Sequence, residues 1–166
     1  YIGQGTEAHD GDEEDAISEA LGAEILPNGD SVFDFLPIEI NGRLVWIQHQ
    51  GAPAGRGITE GNALHNYMRN IYFTCLEDKR RLPDVIISGH YHRNVYDTFT
   101  RKEHTIHGII VPPWQLKTRF GYRVAAAELD NIGLRAVDIS SPVNGKGAID
   151  VNEPILLQPR DEVVRI

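Results

Sequence analysis

Residues 83–92 read PDVIISGHYH, a short β-branched run that stops at a glycine and is followed by two histidines. The run Val85–Ile87 predicts a buried strand, and Gly89 allows a sharp turn where that strand ends. His90 and His92 stand at i and i+2, and such residues project to the same side of an extended segment. The pattern therefore predicts two imidazoles aimed at one point beyond a sheet edge, where open α/β sheets bind ligands. The alternative is a polar turn whose histidines face water.

The segment upstream predicts a strand, a loop and a helix. Residues 43–47 have the composition of a strand that runs directly into His49 and a glycine-rich loop. Strand, helix and strand over residues 43–88 form a βαβ unit, so the two strands are expected to be parallel neighbours. The helix is expected over residues 60–78, with Thr59 as its N-cap and an apolar stripe of Leu64, Met68, Ile71 and Cys75.

Parallel pairing of these strands brings a third histidine to the same sheet edge. His49, His90 and His92 are then expected to converge on one crevice, an arrangement typical of a metal site. His9, which precedes the first predicted helix, is placed to reach that crevice. An imidazole, with its ordinary pKa of about 6.5, suits general acid–base catalysis there. A helix-capping turn with an incidental histidine is the alternative for His9.

Two arginines flank the histidines, and either Arg56 or Arg93 can hold a phosphate, although a loop arginine is more often simply solvated. The remaining histidines, His65, His104 and His107, are interpreted as surface or packing residues.

The rest of the chain predicts a mixed β-sheet with flanking helices, an α/β fold. A first helix is expected over residues 11–22, capped by Asp10 or Asp12, with Ile17 and Leu21 on its apolar face and Gly22 at its end. Asn41-Gly42 predicts a two-residue hairpin between strands 37–40 and 43–47. Further strands are expected at residues 94–100, 105–111, 122–129 and 134–139, with a turn at 130–133 and a short apolar run at 155–157.

Composition indicates one soluble domain of 166 residues. A net charge of −8 argues against a surface that binds nucleic acid mainly through its phosphates. The single cysteine excludes an intramolecular disulfide and a thiolate metal cluster, and it fits the cytoplasm. No apolar stretch approaches the roughly 20 residues that span a bilayer, so no membrane partner is expected.

Taken in order, these motifs resemble the second half of the calcineurin-like metallophosphoesterases, over roughly residues 1–140. The family's pattern runs Asp-x-His, Gly-Asp-x-x-Asp, Gly-Asn-His-Asp/Glu, a lone His and Gly-His-x-His. Residues 89–92 match the last motif, His49 matches the lone histidine, and residues 5–10 take the place of the third motif. The segments at 112–118 and 130–134 are also similar to phage and prophage members.

The resemblance implies a divalent-metal-dependent hydrolase that acts on a phosphomonoester or a phosphodiester. It implies that His49 and His90 bind one metal ion, that His92 binds a second, and that His9 is the general acid near the leaving group. It also implies two ions, of Mn, Fe, Zn or Ni, which activate a bridging hydroxide.

Two departures from the family's pattern shape the expected architecture. Thr6 stands where the family has a metal-binding Asn, with Glu7 the neighbouring candidate ligand, and the first two motifs, which supply carboxylates, do not occur ahead of residues 5–10 in this sequence. We therefore expect residues 1–140 to be the C-terminal portion of a four-layer α/β/β/α sandwich, and residues 141–166 to be an extension or edge strand. Activity is then expected only with a missing N-terminal segment or a second chain, and the open face of a half-sandwich favours a homodimer.

Two other functions remain open from the sequence. One is a non-catalytic binding or structural domain that retains the metallophosphoesterase fold. The other is a different hydrolase with a mononuclear three-histidine site.

Overall fold

A computed structural model describes residues 2–3, 13–25, 27, 29–55, 57–113, 132–142 and 145–157 of the chain. Its helices and strands, in chain order, are β1 (Ile2–Gly3), α1 (Glu13–Leu21), β2 (Val32–Phe33), β3 (Phe35–Ile40), β4 (Arg43–Gln48), a short 3-10 helix (Gly57–Thr59), α2 (Asn62–Glu77), β5 (Val85–Ser88), β6 (Val95–Arg101), β7 (His104–Ile110), β8 (Ile132–Leu134), β9 (Val137–Ile139), β10 (Ile149–Val151) and β11 (Ile155–Leu157).

A five-stranded mixed sheet in the order β3-β4-β5-β7-β6 organises these elements. The central strand β5 runs parallel to both β4 and β7, whereas the outer strands β3 and β6 are antiparallel to their neighbours. The helix α2 connects β4 to β5, as a parallel crossover requires. The predicted α/β class and the predicted parallel βαβ unit are therefore confirmed.

The hairpin between β3 and β4 turns at Asn41 and Gly42, as the sequence predicts. Asn41 has a φ of 49° and Gly42 a φ of 76°, and two consecutive positive φ angles are what a twist-matched two-residue turn requires. A Cβ at Gly42 would lie 2.4 Å from the carbonyl oxygen of Gly145, so the turn is also closely packed.

The helix α2 covers one face of the sheet and forms the main core. Its buried side chains are Leu64, Met68, Tyr72 and Cys75. The sequence predicts an apolar stripe that includes Ile71, but Ile71 is only half-buried and Tyr72 is buried instead. The predicted N-cap, Thr59, is wrong: the helix begins after Gly61, whose left-handed φ of 87° turns the chain into it without a side-chain cap. No helix within the described ranges is long and apolar enough to cross a membrane.

The other face of the sheet carries a second, smaller core. Val45, Val85 and Ile109 are its buried centre. The antiparallel pair β9 and β10 packs against them through Val137, Ile139, Ile149 and Val151. Both faces of the central parallel strands are therefore covered, which suits their nearly continuous apolar sequence.

The first helix differs from its prediction in the side that it buries. Its end at Gly22, with a φ of 62°, is as predicted, but Ile17 and Leu21 are 50% and 74% exposed. Among residues 15–21 the buried side chain is Ser18, whose hydroxyl donates to the carbonyl oxygen of Ser31. A hydrogen bond to the loop before β2, rather than an apolar stripe, therefore orients α1. The predicted caps Asp10 and Asp12 lie outside the described residues.

The C-terminal strands correct two further expectations. The predicted strand at 134–139 is divided into β8 and β9, which pair with different partners, β11 and β10. Ile132 and Gly133 belong to β8 rather than to a turn, because both are paired with β11. The predicted strand at 122–129 lies outside the described residues.

Asp84, directly before β5, anchors the sheet edge opposite the predicted site. Its side chain is fully buried, and it accepts hydrogen bonds from Arg43 Nη1 and from the backbone N–H of Leu44, both at 2.9 Å. The Lys146 ammonium lies 3.4 Å away. Burial by itself raises the pKa of Asp84, but these donors and charges outweigh it and hold the pKa below its ordinary value.

Candidate functional site

Two of the predicted site residues meet at the carboxyl ends of adjacent parallel strands. Gln48 and Ser88 end β4 and β5 and are partners in the register, so His49 and His90 leave the sheet side by side. His49 Nε2 lies 3.2 Å from His90 Nδ1, and the ring centroids are 5.2 Å apart in an edge-to-face arrangement. Both side chains are half-buried. The structure therefore brings together the pair that the βαβ topology predicts.

The backbone around the second and third histidines is not extended. His90 has a φ of 69° and His92 a φ of 52°, so both occupy the left-handed region. The premise that His90 and His92 project to one side of an extended segment is therefore wrong. This conformation costs roughly 1–2 kcal/mol for each side-chain-bearing residue, and such strain is concentrated at functional sites.

The loop after β5 is held by contacts to the loop after β4. The N–H of Gly89 donates to the carbonyl oxygens of both Gln48 and His49, at 3.2 and 3.0 Å. Tyr91 packs its ring edge-to-face on His90, with 4.9 Å between centroids, and its hydroxyl lies 3.5 Å from the carbonyl oxygen of Gly51. These contacts fix the two histidine-bearing loops to each other.

The spacing of the two imidazoles suits a shared metal ion. Two nitrogens bound to one ion at about 2.1 Å lie about 3.0–3.4 Å apart in octahedral or tetrahedral geometry. The observed 3.2 Å between His49 Nε2 and His90 Nδ1 falls in that interval. Imidazole nitrogens are good ligands for Zn²⁺, Ni²⁺ and Fe²⁺. The pair therefore fits two positions of a transition-metal site.

Within the part of the chain that the structure describes, no three His, Cys, Asp or Glu side chains are grouped to hold a metal ion. His92 is exposed, and it does not form a group of three with His49 and His90 that could hold a metal ion. Its assignment as a ligand stays a prediction. The described part of the site is thus a pair of imidazoles without a grouped carboxylate.

Of the predicted phosphate-binding arginines and the predicted general acid, the structure describes only Arg93. Arg93 follows the histidine turn, is 20% exposed in its side chain, and lies 3.8 Å from the Glu60 carboxylate. Arg56 and His9, with the candidate ligands Thr6 and Glu7, lie outside the described residues. Their roles stay predictions.

The other histidines take part in separate contacts, as the sequence predicts. His65 pairs with Asp97 at 2.8 Å on the surface, and His104 contacts the carbonyl oxygen of Pro83 at 2.9 Å. His107 lies 2.9 Å from the hydroxyl of Tyr96, on the face that carries the smaller core. Burial and the Arg43 guanidinium lower the pKa of His107, which favours its neutral form.

Sequence reasoning missed the polar residues directly beneath the histidine pair. Gln48 and Ser88 are 9% and 0% exposed, and Gln48 Nε2 lies 3.0 Å from Ser88 Oγ. Tyr67 of α2 places its hydroxyl 3.0 Å from the same Gln48 nitrogen. The signal in the sequence was a serine ending the apolar run of β5, since a polar residue buried there needs a partner.

Comparisons with known proteins give likenesses to solved structures alone. No family model matches the chain, and no curated protein matches it. A crystal structure of a single mutant of Vps29 from Entamoeba histolytica matches with a TM-score of 0.38 and 14% sequence identity, over 76% of this chain and 62% of that chain. This chain therefore spans less than two thirds of that protein's length. The two histidines and their surroundings, rather than this likeness, carry the functional conclusion.

Proposed function

We propose that this chain supplies part of the active site of a divalent-metal-dependent phosphoester hydrolase of the calcineurin-like metallophosphoesterase type. The observation that carries the proposal is the 3.2 Å approach of His49 Nε2 and His90 Nδ1 at the carboxyl edge of two parallel strands. The motifs at His49 and at residues 89–92 support it, because they occur in the order that the family uses.

The chain's own residues have distinct roles in this proposal. His49 and His90 hold one metal ion, and the strained turn at His90 keeps its ring beside that of His49. His92 contributes to a second ion, His9 protonates the leaving group, and an arginine positions the phosphate. The metal ions, once bound, activate water and neutralise charge on the phosphoryl group.

The remaining ligands come from outside the described residues. The family's bridging and terminal carboxylates belong to motifs that come before the segment matched here, and we propose that a further N-terminal segment or a second chain supplies them. The complete protein is then the active species, with phosphomonoesters and phosphodiesters both candidate substrates. We propose a cytoplasmic location because the sequence has a single cysteine, Cys75, which is buried and forms no disulfide.

The same contact, taken as a hydrogen bond between the two imidazoles, favours a second function. His49 and His90 lie within hydrogen-bonding distance of each other, and the described residues contain no group of three His, Cys, Asp or Glu side chains that could hold a metal ion. A pair satisfied in this way suits a non-catalytic domain that keeps the fold and uses it to bind a partner.

Hydrolysis assays on the complete protein separate the two functions. We expect turnover of p-nitrophenyl phosphate or bis-p-nitrophenyl phosphate with Mn²⁺, its loss after treatment with a chelator, and its return when Mn²⁺ is added back. The physical reason is that neutral imidazoles alone neither ionise a water at pH 7 nor offset phosphoryl charge. Equal, negligible turnover with and without Mn²⁺, Zn²⁺ or Ni²⁺ would favour the non-catalytic domain.

A further inference from the structure

A buried polar pair lies at the last register position before the two histidines. Gln48 of β4 and Ser88 of β5 are direct partners in the strand register. The distance from Gln48 Nε2 to Ser88 Oγ is 3.0 Å. Gln48 immediately precedes His49, and Ser88 stands two residues before His90. A change in the distance or angle between Gln48 and Ser88 would therefore shift the backbone of His49 and His90, which are only one and two residues away.

Apart from Ser88, β5 is built from apolar side chains. Val85 and Ile86 of β5 are fully buried, and so is Ser88 at its end. Two apolar side chains of matching shape in place of a hydrogen-bonded pair are often nearly neutral for stability. The need for a stable sheet does not by itself call for a glutamine and a serine here. The polar pair fixes how the ends of β4 and β5 are placed relative to each other, because a hydrogen bond has a preferred distance and angle and an apolar contact does not.

Two further groups hold the pair in place. From the side of α2, the Tyr67 hydroxyl lies 3.0 Å from Gln48 Nε2 and 3.2 Å from its Oε1. From the side of the loop after β4, the backbone of Gly51 closes over the pair. A Cβ at Gly51 would lie 2.2 Å from Ser88 Oγ and 2.6 Å from Gln48 Nε2, so this approach requires glycine.

We propose that Gln48 and Ser88 are positioning residues that set the separation of His49 and His90 for metal binding, a role that rests on the proposed function. The network ties together the helix, both strand ends and the loop that carries His49. It thereby holds the two ring nitrogens at the spacing that two ligands of one ion need. A metal site must be held to within about 0.5 Å, and such orienting contacts are worth roughly 10–100-fold in metal affinity.

The double variant Gln48→Leu/Ser88→Ala tests this role in the complete protein. We expect the urea midpoint of unfolding to fall modestly, because the two residues of the pair are removed together but the half-buried Tyr67 hydroxyl loses its Gln48 partner. We expect the Co²⁺ affinity, measured by visible absorption during titration, to fall by roughly 10–100-fold. In the metal-free protein, ¹⁵N chemical shifts of the ring nitrogens are expected to lose the signature of the His49–His90 contact.

A matched control removes a cross-strand hydrogen bond elsewhere in the same sheet. Thr100 and Thr105 join their hydroxyls at 2.9 Å across β6 and β7, and Thr105→Val deletes that contact. This variant is expected to keep the wild-type Co²⁺ affinity and the wild-type histidine shifts. Should the double variant fail to fold, Ser88→Ala alone is measured and interpreted in the same way.

The outcomes distinguish the positioning role from the proposed function. A wild type that binds Co²⁺ through His49 and His90, together with a double variant of equal affinity and unchanged histidine shifts, would overturn the positioning role and leave the function standing. A wild type whose Co²⁺ spectrum is indifferent to His49→Ala would overturn the function and the positioning role together.

Discussion

Replacing His90 with asparagine is expected to lower the phosphoesterase activity of the complete protein by at least roughly 100-fold. Groups that only orient a metal ligand are worth roughly 10–100-fold, and removal of a ligand costs more. Asparagine is the substitution of choice because it tolerates the left-handed backbone, and His90 has a φ of 69°. The turn is therefore preserved while the imidazole beside His49 is lost. Initial rates with Mn²⁺ at saturating substrate measure the effect.

The control for this variant is His65→Asn. His65 lies on α2, half-exposed, where it pairs with Asp97 rather than with the site. Its replacement is expected to leave the rate within about twofold of the wild type, because an exposed pair of this kind contributes little to stability. Near-wild-type hydrolysis by His90→Asn, with the fold intact by circular dichroism, would refute the assignment of His90 as a ligand.

Replacing Asp84 with asparagine is expected to give the largest loss of stability, about 3–5 kcal/mol in the free energy of unfolding at pH 7. The Asp84 carboxylate is fully buried and accepts hydrogen bonds from the Arg43 guanidinium and the Leu44 N–H. The amide keeps the shape but removes the charge that balances Arg43, and it turns a donor toward groups that are themselves donors. Urea unfolding at pH 7 measures the loss.

The same carboxylate predicts how stability depends on pH. Its folded pKa is lowered, so the unfolded state takes up the proton first as the pH falls. The stabilisation is therefore fully present above the ordinary value of 3.8 and is lost as the pH falls through the lower, folded value. The Asp84→Asn variant is expected to lack this part of the acid sensitivity.

An exposed ion pair provides the comparison. Glu39 and Arg81 form a salt bridge near the same hairpin, but both side chains are about half-exposed. Glu39→Gln is expected to cost less than about 1 kcal/mol, because solvent screens such a pair. If Asp84→Asn costs no more than Glu39→Gln, the buried carboxylate is not the anchor of this sheet edge.

Local chemistry and chain connectivity made much of the framework predictable. Asn41 and Gly42 require a turn with positive φ angles, and the hairpin forms there. A helix-length connection between two apolar strands requires a crossover, and β4 and β5 are parallel. The meeting of His49 and His90 follows from the parallel pairing, because His49 directly follows the end of β4 and His90 stands two residues after the end of β5.

What escaped prediction depends on contacts between distant residues. The pattern of Ile17 and Leu21 indicated a buried face, yet the hydrogen bond of Ser18 to Ser31 orients that helix. The left-handed turn at His90 and His92 is set by the close approach of the two loops rather than by local propensity. Likewise, a glutamine and a serine forty residues apart give no joint signal until the register pairs them.

We propose that His49 and His90 are two ligands of one metal ion. A crystal of the complete protein grown with Mn²⁺ and measured at the Mn absorption edge shows where the ion binds. We expect an anomalous peak about 2.0–2.3 Å from both His49 Nε2 and His90 Nδ1. A well-ordered pair of imidazoles still 3.2 Å apart, with no anomalous density between them and the metal bound elsewhere, would contradict it.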